Sequence, residues 1–169
     1  MKKLNLILCN LFFFIILFFT PGFSDSKIEG KPEVIDGDTI KINNIKIRFS
    51  GIDAPESYYK GKSQNCKLVL NNEAIFCGKL SKKILKEKID NKIISCIPES
   101  KDRYKRLIAE CFLNNESISS FMVRSGYAFD YFKFSNGKYL KDENFAKKNK
   151  LGLWKMEFEY PWEWRKSNK

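Results

Sequence analysis

Between Ile40 and Phe49 the chain alternates with a period of two around a pair of asparagines. Ile40, Ile42, Ile45, Ile47 and Phe49 interleave with Lys41, Lys46 and Arg48. One buried face and one wet face on a short segment mean a half-exposed β-hairpin, not a helix. Asn43-Asn44 suits a two-residue turn, because asparagine tolerates positive φ. Glu33–Ile35 adds a strand before this hairpin, which is read as Thr39–Ile42 and Ile45–Ile52. A second pair, Lys92–Pro98 and Leu107–Leu113, flanks a turn at Asp102–Lys105. Helical spacing is found in Gly78–Ile89, through Leu80, Ile84, Leu85 and Ile89, and in Ser117–Ser125, through Ile118, Phe121 and Met122. Gly126 marks the stop of the latter, and Tyr139–Lys150 gives a third helix ending near Gly152. Ser57–Asn72 is a polar loop. This order predicts one small α+β domain over 33–169, built around a closed or partly open barrel.

The chain opens with Met1-Lys2-Lys3 and an apolar stretch from Leu4 to Phe19, followed by Pro21-Gly22-Phe23-Ser24. Positive residues, an apolar run and small residues before a cut after Ser24 form a secretory signal over 1–24. The alternative is an uncleaved anchor to the inner membrane over 4–20. Removal of the signal leaves a flexible polar leader over 25–32 and an exported protein, periplasmic or secreted, with no stable membrane association. Four cysteines remain: Cys66, Cys77, Cys96 and Cys111. An even count after an export signal reads as disulfides, and no tight C-x₂-C pair suggests zinc. Cys96 and Cys111 are equidistant from the Asp102–Lys105 turn and would face each other across the hairpin, which leaves Cys66 to join Cys77. The other two connectivities stay open.

The net charge of +11 favours a polyanionic partner, although lysine-rich composition can also serve solubility alone. The chain has no histidine. That excludes Ser-His-Asp hydrolysis, histidine-ligated metals and histidine bases, and leaves carboxylates, guanidiniums, phenols and metal-bound water.

Acids and arginines gather at the strand ends. Asp38 follows Asp36-Gly37, Arg48 interrupts an apolar strand, and Asp53-Ala54-Pro55-Glu56 closes it. Asp38 and Asp53 share parity with the isoleucine face, so both carboxylates can point into the mouth of a barrel. Hard oxygen ligands there suit Ca²⁺ or Mg²⁺. A two-residue turn pairs Asp38 with Phe49 and leaves Asp53 about 13 Å further along the strand. A bend at Ser50-Gly51 has to close that gap. Each tetrapeptide alone reads as an ordinary turn or strand exit; together, with Arg48 between them, they read as a site. Arg106 can converge from the second hairpin, and arginine offers a rigid fork for phosphate oxygens. Tyr104 lies in its turn, and Tyr127, Phe129 and Tyr131 cluster after Gly126, where aromatics either stack bases or pack the core.

Five motifs in order carry a resemblance to the thermonuclease family, the family of staphylococcal nuclease. They are Asp36-Gly37-Asp38-Thr39, Arg48, Asp53-x-Pro55-Glu56, Asp102-x-Tyr104-x-Arg106 and Gly152-Leu153-Trp154. The resemblance covers most of Glu33–Trp154, and the closing Pro161-Trp162-Glu163-Trp164-Arg165 is similar to the tails of exported bacterial relatives. It implies an OB-type five-stranded barrel with about three α-helices, and calcium-dependent, sugar-nonspecific hydrolysis of phosphodiesters in DNA and RNA. The implied calcium ligands are Asp38, Asp53 and the Ala54 carbonyl. Arg48 and Arg106 match the phosphate-binding arginines, and Glu56 matches the glutamate proposed as general base. Tyr104 matches a phosphate-contacting tyrosine. A second such residue falls at Tyr131 or Phe132. Lys105 stands where the family has glycine. The implied reaction is in-line attack of water on phosphorus with departure of the 5′-oxygen, on single-stranded or locally unpaired DNA and RNA, by a monomer. Two other readings use the same residues: a nucleic-acid-binding module without turnover, and a secreted interaction domain made robust by disulfides.

Overall fold

The structure, a computed structural model, describes residues 27–169. The expected signal segment 1–24 lies outside the described residues. Among those described, no helix is long and apolar enough to cross a membrane.

The isoleucine-rich hairpin forms as its alternation requires. Strands β1 (Ile28–Gly30), β2 (Glu33–Asp36), β3 (Thr39–Ile42) and β4 (Ile45–Phe49) open the fold. Asn43 and Asn44 both take positive φ, at 48° and 67°, and Thr39 pairs with Arg48 and Ile42 with Ile45 in the register a two-residue turn sets. Ile40, Ile42, Ile47 and Phe49 are buried. After the short strand β5 (Ile52–Asp53) come β6 (Cys66–Leu68), β7 (Ala74–Ile75) and helix α1 (Cys77–Ile89). The second hairpin follows as β8 (Ile94–Lys101) and β9 (Leu107–Leu113), with β10 (Glu116–Ser117) folding back on β9. Helix α2 (Ile118–Arg124) is capped by the Ser117 hydroxyl, which accepts from the Ser120 amide at 3.0 Å. The chain then runs through β11 (Phe129–Asp130), α3 (Phe132–Ser135), α4 (Leu140–Lys148), a 3-10 turn at Gly152–Lys155, β12 (Met156–Glu157) and α5 (Pro161–Ser167).

The main sheet runs β1-β8-β9-β4-β3-β2, with β10 beside β9. The two hairpins join through a parallel β4–β9 pair, Ile47 opposite Leu107 and Phe49 opposite Ala109. This curled sheet, with helices packed on it, is the expected α+β half-barrel of OB type. Its core comprises Ile40, Ile47, Phe49, Leu85, Ile94, Met122 and their neighbours. A second cluster forms around Phe129, Leu153 and the Cys66–Cys77 pair, and it is walled by Trp154, Phe158, Tyr160 and Trp162. Both disulfides are those expected: Cys66–Cys77, which joins β6 to the start of α1, and Cys96–Cys111 directly opposed on β8 and β9.

Three expectations are revised. Ile45–Ile52 is not one strand: Gly51 adopts φ of 71°, and β5 leaves the main sheet to pair with β11. The expected leader contains a strand, β1, because Ile28–Gly30 lies along Ile94–Cys96 and supplies the edge of the sheet. The described residues form five α-helices rather than about three. Of the two additional helices, α3 is too short to show a periodic apolar face, and α5, PWEWRKS, carries its apolar residues only in its first four positions.

Candidate active site

The Gly51 bend closes the gap that a straight strand would leave. Phe49 donates its amide to the Asp38 carbonyl at 2.9 Å, which fixes the register of the hairpin mouth. Past the bend, Asp53 returns to the same arginine that faces Asp38. Arg48 Nη1 contacts Asp38 Oδ2 at 2.9 Å, and Arg48 Nη2 contacts Asp53 Oδ1 at 2.6 Å. One guanidinium therefore brackets the two carboxylates. Asp53 is completely buried and Asp38 nearly so. The Ala54 amide donates to Asp38 Oδ2 at 3.3 Å, so Ala54 lies directly against the same carboxylate. Gly37 permits this approach, because a Cβ there would stand 2.8 Å from the Ala54 Cβ and 2.9 Å from the Ser81 Cβ.

These groups border a cleft of about 970 Å³. Asp38, Arg48, Glu56, Tyr104, Arg106 and Tyr131 all line it, so the strand ends converge as the sequence suggested. Asp53 lies behind the wall, covered by guanidiniums. Arg106 is oriented by Asp102, whose Oδ2 accepts from Nε at 2.7 Å while Oδ1 accepts from the Arg106 amide at 2.9 Å. The turn that presents it keeps its shape without glycine: Lys105 adopts φ of 64°, and its amide donates to the Asp102 carbonyl at 3.0 Å. Holding a non-glycine residue in this region costs about 1–2 kcal/mol. Tyr104 is 64% exposed, and its hydroxyl accepts from Arg103 at 2.7 Å. Tyr131, rather than Phe132, lines the cleft, and its ring stacks on Trp162 at 4.9 Å with the planes 5° apart.

The electrostatics of the carboxylates follow from crowding. Burial first, then the charges of Asp38 and Glu56, push the Asp36 carboxyl up to about 7. Burial and the Asp38 charge likewise raise Glu56, against a hydrogen bond from Arg165. Burial disfavours the charge on Arg48, but Asp38 and Asp53 outweigh it and hold the guanidinium protonated. Crowding and burial thus disfavour full ionisation of these carboxyls, while Arg48 offsets the charge that remains. Among the described residues, no group of three or more His, Cys, Asp or Glu side chains is arranged around one point as metal ligands. A cation would have to be held by Asp38, Asp53, the Ala54 carbonyl and water.

Sequence reasoning missed two members of the site. Gln64, within the polar loop, is fully buried, and its Oε1 accepts from the Glu56 amide at 3.3 Å. Arg165, on α5, reaches Asp53 and Glu56. Pro161 at the first turn of α5 was a helix-start signal, but nothing local to that heptapeptide points back to residues more than a hundred positions earlier.

The geometry agrees with comparison to known proteins. Residues 46–156 match the model of the staphylococcal nuclease homologue family. An uncharacterized endonuclease of Haemophilus influenzae is 31% identical over 81% of this chain and 72% of its own length. A succinoglycan biosynthesis protein of Rhizobium meliloti is 30% identical over 79% of this chain and 68% of its own. A staphylococcal-like nuclease of Arabidopsis thaliana is 29% identical over 74% of this chain, which spans only 34% of that longer protein. With a half-barrel whose mouth carries Asp38, Arg48, Asp53 and Glu56, and with most of its length matched, the chain belongs to the staphylococcal nuclease homologue family.

Proposed function

We propose that this protein is a nuclease that hydrolyses phosphodiester bonds in DNA and RNA with the help of Ca²⁺. The observation that carries the reading is Arg48 bracketed by Asp38 and Asp53 at the mouth of a basic cleft that Glu56 and Arg106 also line. Family membership and relatives named as endonucleases support the reaction class. Buried oxygen ligands without any histidine support calcium over zinc.

Arg48 and Arg106 bind the non-bridging oxygens of the phosphate and neutralise charge as the phosphorus becomes pentacoordinate. Glu56, its pKa raised by burial, accepts a proton from the attacking water. The new bond runs from the water oxygen to phosphorus; the bond from phosphorus to the 5′-oxygen breaks, and that oxygen takes up a proton from solvent. When bound by Asp38, Asp53 and the Ala54 carbonyl, calcium supplies further charge neutralisation at the phosphate. Tyr131 and Tyr104 line the cleft, and aromatic rings beside basic groups support a single-stranded or locally unpaired substrate. The two disulfides favour an oxidising compartment, in keeping with export.

Cleavage of denatured DNA with and without a calcium-selective chelator tests the proposal. Activity should vanish in chelator and return with added Ca²⁺. Activity that persists in chelator would remove the calcium assignment. Absence of cleavage with Ca²⁺ present, despite salt-dependent DNA binding, would favour a binding module.

A further inference from the structure

Helix α5 delivers a guanidinium into the cleft from beyond the stretch that defines the family. Arg165 Nη2 donates to Asp53 Oδ2 at 2.6 Å. Its Nη1 donates to Asp53 Oδ1 at 3.1 Å and to Glu56 Oε1 at 2.6 Å. Arg48 reaches that same Asp53 Oδ1 from its own strand at 2.6 Å. Two guanidiniums thus meet on one fully buried carboxylate oxygen.

Three observations give this contact a role in the reaction rather than in packing alone. Arg165 lines the cleft, and its side chain is 24% exposed. A guanidinium has five N–H donors. Three of those on Arg165 are engaged, and Nε and the second Nη2 proton have no protein partner among the described residues. Charge points the same way. Asp36, Asp38 and Glu56 crowd one end of the cleft with Asp53 behind them, Arg106 is held by Asp102, and without Arg165 the one cation paired with these carboxylates among the described residues would be Arg48. At that end of the otherwise basic cleft a phosphodiester would then meet four carboxyl groups offset by one guanidinium.

The mounting of α5 excludes a loose tail. Trp162 is stacked between Tyr131, at 4.9 Å, and Tyr160, at 4.6 Å. Trp164 meets the edge of Tyr59 at 6.0 Å, and β12 just upstream pairs with β6. A rigid aromatic wall of this kind holds a side chain in a fixed place, as a preorganised binding group requires.

We propose that Arg165 is a third phosphate-binding arginine of this site. Its free N–H groups contact the phosphodiester while its engaged ones hold Asp53 and Glu56 in position. The proposal rests on the nuclease reading and adds a residue to it.

The test compares the wild-type chain with Arg165→Ala, Arg165→Gln and Arg165→Lys, in Ca²⁺, by steady-state cleavage of single-stranded DNA across salt concentrations. Melting temperatures establish which variants are folded. Arg165→Ala and Arg165→Gln should raise KM about tenfold or more and lower kcat. They should also flatten the salt dependence of kcat/KM by about one phosphate contact, a slope change near 0.7 on a single strand. Arg165→Lys should restore the salt slope and most of KM but less of kcat, since ammonium keeps the charge and loses the fork. Wild-type KM and salt slope in a folded Arg165→Gln protein would overturn the proposal. Faster cleavage by that variant would also overturn it and make Arg165 a blocking counter-ion. If the wild-type chain binds DNA without cleaving it, the nuclease reading fails by itself. Fluorescence anisotropy on a labelled single strand then decides about Arg165, and unchanged affinity in Arg165→Gln would overturn its role.

Discussion

Gln64 Nε2 donates to the Glu159 carbonyl at 2.7 Å, across 95 positions of chain. The other end of the same buried amide accepts from the Glu56 backbone. One side chain therefore ties the strand exit that carries Glu56 to the segment that leads into α5. Gln64→Ala should lower the unfolding free energy by about 0.5–1.5 kcal/mol, because the part-buried Glu159 carbonyl and Glu56 amide lose their partner. Urea denaturation reads this directly. A denaturation midpoint equal to wild type would show that water replaces the amide at no loss.

The hairpin register, the two disulfides and the convergence of Asp38, Arg48 and Asp53 were legible because each follows from local rules. Side-chain alternation fixes strand faces, two asparagines fix a turn, and a turn centre fixes which residues face one another. Gly51 was legible as a bend, though not the departure of β5 to a separate pair with β11, which depends on where Phe129 packs. Gln64 and Arg165 were not legible. Arg165 and the Glu159 end of Gln64 act through contacts between the C-terminal segment and residues 53–64, and such contacts leave no periodicity in either stretch. Lys105 shows the converse: the family resemblance has glycine there, and the hydrogen bonds of Asp102 hold the turn without it.

Asp36 gives a pH signature. Its carboxyl, pushed up to about 7 in the folded protein, has an ordinary value in the unfolded chain. From about pH 4 to about pH 7 the folded state therefore keeps a proton that the unfolded state has released, so stability falls as pH rises through that window. Asp36→Asn removes the ionisation but keeps an oxygen to accept from the Gly37 and Ser57 amides. In chelator, the variant should melt higher than wild type at pH 8, with the difference shrinking toward pH 4. No gain at pH 8 would mean that the Asp36 charge is accommodated without strain.

The Cys96–Cys111 bridge spans the hairpin that presents Arg106, and both cysteines are fully buried. A loop of this length adds about 3 kcal/mol through restriction of the unfolded chain. Replacing both cysteines with alanine should lower the unfolding free energy by about that amount, with residual activity per folded molecule, since Tyr104 and Arg106 are set by Asp102 at the far end of the hairpin. Denaturant titration, followed by activity at low temperature, separates the two effects. Full loss of activity in a folded variant would tie the bridge to the site itself.

Glu56 and Arg106 line one cleft, and the proposed reaction gives them different partners. In the proposed reaction Glu56 serves the attacking water, and its own charge would repel a phosphodiester. Arg106 has its Nε fixed on Asp102, which leaves both Nη groups for phosphoryl oxygens in ground and transition states alike. Glu56→Gln keeps an oxygen for Arg165 and removes the base. It should lower kcat by about 10²–10⁴-fold while KM stays similar or falls. Arg106→Ala should lower kcat, raise KM and flatten the salt dependence of kcat/KM, and Arg106→Lys should recover binding better than rate. Steady-state kinetics with Ca²⁺ at several salt concentrations distinguishes them. Near-normal turnover in Glu56→Gln would remove Glu56 from the chemistry and leave the two aspartates and the arginines to carry it. An unchanged salt slope in Arg106→Ala would mean that its Nη groups never meet the phosphate.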